Sequence, residues 1–277
     1  MSDPVLDLED DTNEPPPLRR RRKGLFMLPN AITLAALFSG FYAIVMAING
    51  RFEVSCVAVF CAAVLDSLDG RVARMTNSQS AFGEQMDSLS DMVSFGAAPA
   101  LIVYIWALKD LGKPGWIPAF VYISGAALRL ARFNVNIGVV DKRFFQGLPS
   151  PAAAALVIGL IWVIDDAGFK GVSRIPVLAW TAFAVTLYAG LSMVTNAPFY
   201  SFKVVGARRT VPFIVIVAIA LAIAVVSLDP PRVLFAIFCA YGLSGYIVYG
   251  WRKMKGRPVS VIATSTDAPE EKGLHDD

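Results

Sequence analysis

Apolar runs of bilayer-crossing length recur along most of this chain, separated by short polar stretches, from residue 30 to residue 251. A spanning helix needs about 20 predominantly apolar residues. The runs predict eight helices, at about 30–49, 52–74, 84–107, 115–135, 150–165, 176–197, 211–228 and 231–251. The expected fold is all-α, a polytopic transmembrane helical bundle with about eight spanning helices. A hydrophobic content of 56% and a mean hydropathy of +0.56 exclude an ordinary soluble domain.

The ends of the chain read differently. Residues 1–24 form a polar tail, acidic at first (Asp3, Asp7, Glu9, Asp10, Asp11), then proline-rich at Pro15–Pro17, the composition of a disordered segment. Arg19 to Lys23 close it with a basic run. The next apolar segment is long and lacks a convincing cleavage site, so the run reads as a cytosolic anchor at an anionic membrane surface rather than as part of a signal peptide. Pro29-Asn30 is a plausible helix start. Residues 25–254 are expected to form one membrane-embedded domain, and 255–277 a second disordered cytosolic tail.

Placing the N-terminus in the cytosol puts nineteen of the 25 Lys and Arg residues on the cytosolic side, as the positive-inside bias requires. This supports eight spans in a cytoplasmic membrane with both termini inside. The lipid bilayer is the expected surrounding, and no nucleic-acid partner is expected. Cys56, Cys61 and Cys239 lie in apolar helices without metal-binding spacing and read as free thiols. His275, the one histidine, is in the polar tail, which excludes histidine chemistry from the core.

The chemistry is concentrated in residues 66–91, DSLDGRVARMTNSQSAFGEQMDSLSD. Asp66 pairs with Asp69, and Asp87 with Asp91, at helical spacings of three and four that place each pair on one face. Gly70 and Ala73 add small side chains to the Asp66 face. An aspartate at the centre of a spanning helix costs about 2.5–3.5 kcal/mol on insertion scales, so four of them need compensation, for which divalent cations are suited as partners of hard carboxylate oxygens. With the N-terminus inside, helix 2 descends to the cytosol and helix 3 climbs from it. The two pairs then face each other at the depth of phospholipid headgroups, which suits a substrate with phosphates at the interface and tails in lipid.

The full pattern is Asp66-x2-Asp69-Gly70-x2-Ala73-Arg74-x8-Gly83-x3-Asp87-x3-Asp91. It resembles the motif of the CDP-alcohol phosphotransferase family at all eight defining positions. The resemblance implies a helical membrane enzyme, usually a homodimer, that displaces CMP from a CDP-linked substrate with an alcohol. It implies Asp66, Asp69, Asp87 and Asp91 as ligands of Mg²⁺ or Mn²⁺, with Asp91 also the general base. Gly70, Ala73, Arg74 and Gly83 would shape the nucleotide pocket. Physical chemistry agrees: metals near four carboxylates neutralise a pyrophosphate, and an arginine fork meets a phosphate.

Flanking motifs narrow the resemblance. Leu28-Pro29-Asn30, Arg132-Phe133-Asn134, Phe145-Gln146-Gly147-Leu148-Pro149-Ser150-Pro151, Ser192–Asn196 and Tyr200-Ser201-Phe202-Lys203 resemble the phosphatidylserine synthase branch. That branch implies CDP-diacylglycerol and L-serine as substrates, whereas other branches make phosphatidylcholine or phosphatidylglycerophosphate. Arg129, Arg132, Lys142, Arg143 and Lys203 are candidates for the lipid phosphate or the serine carboxylate, and equally for snorkelling anchors; the sequence does not choose among them. A cation transporter is the rival from another class, since it too would carry intramembrane carboxylates. Transporters often show repeated halves, and no second acidic cluster repeats this one.

Overall fold

The computed structural model describes residues 23–76, 78–135, 144–169, 175–200 and 213–255. Lys142, Arg143, Lys203 and most of both tails lie outside them. Eight helices run through the described residues: α1 Lys23–Ile48, α2 Phe52–Met75, α3 Ala81–Trp106, α4 Trp116–Val135, α5 Ser150–Asp166, α6 Pro176–Val194, α7 Phe213–Leu228 and α8 Pro230–Met254. Two three-residue strands, β1 Phe144–Gln146 and β2 Pro198–Tyr200, add an antiparallel pair that the all-α expectation did not contain.

Helix order and type agree with the sequence; the boundaries differ at informative places. Pro29, read as a helix start, lies inside α1. Spanning helices tolerate an internal proline, and Pro29 lies in the second turn of α1, where the Thr33 hydroxyl that serves Asp69 also lies 3.1 Å from its carbonyl. The start of α3 is set by Ser80, whose Oγ accepts from the Gly83 amide at 3.0 Å, the ordinary chemistry of an N-cap. Four helical stretches are long and apolar enough to cross a membrane on length and hydropathy: Leu28–Ile48, Ala81–Trp106, Pro176–Val194 and Pro230–Met254. The others depart from that standard for physical reasons. α2 and α4 carry the charged residues of the site, and α5 and α7 are 17 and 16 residues long.

The hub of the bundle is α5. Residues 152–161 of this helix are buried without interruption, as expected for a helix apolar all round. It packs against α2, α6 and α8, while α1 runs along α2 and α4 along α6. Serine hydroxyls tie the α1–α2 hairpin: Ser39 donates to the Ala58 carbonyl and Ser55 to that of Ala43, both at 2.7 Å. At the α4–α6 crossing, a Cβ on Gly190 would lie 2.7 Å from the Tyr122 Cα. The backbones touch there, the small-residue contact typical of membrane helices. In α7 the described side chains are almost all exposed and apolar, which suits a lipid-facing helix.

Candidate active site

The α2–α3 hairpin brings the predicted carboxylates together. Ligand oxygens of Asp66, Asp69 and Asp87 all lie within 4.8 Å of one another. Three carboxylates so close repel unless a cation sits among them, and hard oxygen donors at this spacing fit a divalent ion. Asp69 is buried at 2% exposure, and its Oδ2 accepts from Thr33 Oγ1 at 2.6 Å. α1 thus fixes the orientation of this carboxylate on α2.

Asp91 sits one turn beyond Asp87 and shares its surroundings with Asp66, Asp87 and the Arg129 guanidinium. Its Oδ1 is shielded from solvent and has no hydrogen-bond partner among the described residues. Directly after Asp91, the helix widens into a π-helical segment, Met92–Ala97. Such bulges frequently occur at functional sites. The buried Tyr122 hydroxyl donates to the Phe95 carbonyl inside this segment at 2.9 Å. Seven residues on, Arg129 approaches Asp91 from the same helix and donates to Ser150 Oγ at 2.6 Å. α4 therefore bonds to the bulge and places a cation within electrostatic reach of the carboxylate ahead of it.

Beside the carboxylates lies an open pocket lined by Asp69, Gly70, Ala73, Gly83 and Asp87 from the motif, and by Asn30, Thr33 and Ser80 from outside it. A Cβ on Gly70 would meet nothing within 4 Å, so the absence of a side chain widens the pocket rather than relieving a packing clash. Arg74 is exposed, with Nε donating to the Gly70 carbonyl at 3.0 Å, and does not line the pocket. Thr33 and Asn30 were missed as site residues. The available signal was the Leu28-Pro29-Asn30 stretch, read as a helix start and a flanking motif but not as part of the site.

Of the five basic candidates, Arg129 alone among the described residues stands beside the aspartates. Arg132 turns to the end of α6, donating to the Val194 carbonyl at 3.3 Å and to Asn196 Oδ1 at 3.2 Å. Lys142, Arg143 and Lys203 are outside the described residues. The structure also joins two motifs that lie far apart in the sequence. Phe145 pairs with Phe199 and Gln146 with Pro198 in the β1–β2 ladder, and Gly147, at φ +77°, turns the chain from the strand into α5.

Residues 26–194 match the CDP-alcohol phosphatidyltransferase family model. This is more than half of the chain, and the chain belongs to that family. Among its relatives, a Helicobacter pylori (strain J99) protein named CDP-diacylglycerol–serine O-phosphatidyltransferase is 34% identical over 224 residues, covering 80% of this chain and 92% of that protein. A Methanocaldococcus jannaschii protein of the same name is 31% identical over 226 residues, covering 80% and 96%. An archaetidylserine synthase from Methanothermobacter thermautotrophicus is 38% identical over 132 residues, covering 47% and 55%.

Proposed function

We propose that this protein transfers the phosphatidyl group of CDP-diacylglycerol to the hydroxyl of L-serine, giving phosphatidylserine and CMP. The observation that carries the reading is the convergence of three carboxylates within 4.8 Å beside a pocket walled by Gly70, Ala73 and Gly83. The relatives named as serine transferases support the choice of acceptor.

Asp66, Asp69, Asp87 and Asp91 would hold Mg²⁺ or Mn²⁺, which would supply positive charge against the pyrophosphate and the departing CMP. The small residues admit the nucleotide against the α2 backbone, and Arg74, exposed on the same helix outside the pocket lining, donates to a phosphate. Asp91 accepts the proton of the serine hydroxyl. The serine oxygen bonds to the β-phosphorus, the bond from that phosphorus to the bridging oxygen breaks, and CMP leaves with the electron pair. Asp91 supports this role by its place one turn beyond Asp87, beside Asp66 and with one oxygen that has no hydrogen-bond partner among the described residues. Arg129, beside Asp91, takes the serine carboxylate. The chain crosses the cytoplasmic membrane eight times as a homodimer, with the site and both termini at the cytosolic face, in keeping with the placement of its basic residues.

The acceptor is the test of this reading. Purified protein is given CDP-diacylglycerol, Mg²⁺ or Mn²⁺, and serine, glycerol 3-phosphate, inositol or choline in separate reactions. Serine should support CMP release and yield a lipid bearing a primary amine and a carboxylate. Turnover with glycerol 3-phosphate or choline and none with serine would overturn the serine assignment while leaving the family intact.

A further inference from the structure

Thr33 stands where three helices of the site meet. It is buried on α1, lines the pocket, and bonds to both of the helices that carry the aspartates. Its Oγ1 lies 2.6 Å from Asp69 Oδ2 on α2, and its backbone carbonyl accepts from Ser90 Oγ on α3 at 3.3 Å. Ser90 is itself buried and falls between Asp87 and Asp91 in the chain. The Thr33 hydroxyl also lies 3.1 Å from the Pro29 carbonyl, but it has one proton to give. Bonds of about 2.5–2.7 Å from a hydroxyl are those made to a carboxylate, so the proton goes to Asp69.

The helices on either side keep Thr33 in place. One turn further on, Ser94 Oγ of α3 donates to the Ala36 carbonyl at 3.2 Å, and a Cβ on Gly40 would lie 2.7 Å from the Ser94 Cα. α1 and α3 therefore touch at a fixed register. On the other flank, the Ser39 and Ser55 bonds tie α1 to α2. Thr33 is thus held at a set height between the two halves of the cluster whose oxygens lie within 4.8 Å of one another. A hydroxyl donating to a carboxylate has two opposed effects on a cation nearby. It draws off some negative charge, which weakens the hold, and it fixes the rotation of the carboxylate, which favours ligation. Where three carboxylates have to converge, an unheld one can swing away from the charge of its neighbours, so orientation decides. Loss of such a partner typically costs about 10–100-fold in metal affinity.

We propose that Thr33 is a positioning residue for the divalent ion: its hydroxyl turns the Asp69 carboxylate towards Asp66 and Asp87, and its bond from Ser90 keeps α3 at the level where they meet. The proposal rests on the metal-binding part of the reading above and is independent of the acceptor alcohol. It adds a residue of α1 to a site otherwise built from α2 and α3.

Mn²⁺ binding to the purified, substrate-free protein reads this role without turnover, by electron paramagnetic resonance of the free ion during a titration. Thr33→Val removes the hydroxyl at nearly constant volume, and Thr33→Ser keeps it. Ser39→Ala removes a hydrogen bond of similar length from the same helix, 2.7 Å against 2.6 Å, but away from the aspartates. Thr33→Val should raise the Mn²⁺ Kd about tenfold or more, while Thr33→Ser and Ser39→Ala stay within about threefold of wild type. Ser90→Ala leaves the Thr33 side chain in place and should raise the Kd by a smaller factor, about threefold or more, because the bond it loses is the longer one. CDP-diacylglycerol KM at saturating Mn²⁺ should stay near that of wild type in all four. Unchanged or tighter Mn²⁺ binding in Thr33→Val or in Ser90→Ala overturns the inference, as does an equal rise in Ser39→Ala. An unchanged Mn²⁺ Kd with a raised CDP-diacylglycerol KM in Thr33→Val makes Thr33 a direct nucleotide contact and overturns it too. In each of these cases the metal site of the wild type still stands. A wild type that binds no Mn²⁺ overturns the metal reading and this inference together.

Discussion

Asp69→Asn is expected to lower CMP release by more than about 10²-fold, the scale on which loss of an electrostatic partner to a developing negative charge slows an enzyme. Asparagine keeps the size of the side chain and can still accept from Thr33, so the hydrogen bond at 2.6 Å that orients the residue need not be lost. The change removes one negative charge from a cluster whose oxygens lie within 4.8 Å. The divalent-metal concentration for half-maximal turnover should therefore rise as the rate falls. Asp66→Asn and Asp87→Asn should behave alike, because the three carboxylates belong to one cluster that a single ion could bridge. A titration of activity against Mg²⁺ or Mn²⁺ measures both effects. Wild-type turnover at wild-type metal demand in any of the three would remove that residue from the site.

Asp91→Asn should separate chemistry from binding. Loss of a general base costs about 10²–10⁴-fold in rate, and the fall should appear in kcat with a smaller change in CDP-diacylglycerol KM. The separation is expected because Asp91 stands a turn away from Asp87 and outside the lining of the pocket beside the carboxylates. Its neighbours are Arg129 and the carboxylates, and its Oδ1 has no partner to lose among the described residues. Equal losses in CDP-diacylglycerol binding and in kcat would make Asp91 a ligand alone. Near-normal turnover at neutral pH would remove it from both roles.

The carboxylate pairs were legible because helical spacing is a local property: three and four residues return to one face whatever the rest of the chain does. Bundle class and helix order followed from the apolar runs for the same reason. What the sequence did not reveal depends on distant chain segments meeting. Thr33 reaches Asp69 across 36 residues, and Ser88 and Asn134 bond across 46 at 3.2 Å. No periodicity announces such contacts. The β1–β2 pair joins strands of three residues each, too short to show an alternating pattern. Among the basic residues, Arg129 and Arg132 look equivalent in sequence, one turn apart on one helix. Only the packing of α4 against α6 distinguishes them, by offering Arg132 the carbonyl of Val194 and the amide of Asn196. The π-helical segment after Asp91 was invisible as well, since MVSFGA reads as plain apolar helix.

Product stoichiometry tests the central claim most directly. Purified protein in vesicles containing CDP-diacylglycerol is supplied with divalent metal and serine, and CMP and the new lipid are quantified together. One CMP per phosphatidylserine is expected, with neither product formed when serine is omitted or the metal is chelated. CMP release without serine, or cation movement across the vesicle with no lipid turnover, would contradict the assignment of these four aspartates to transfer of a phosphatidyl group.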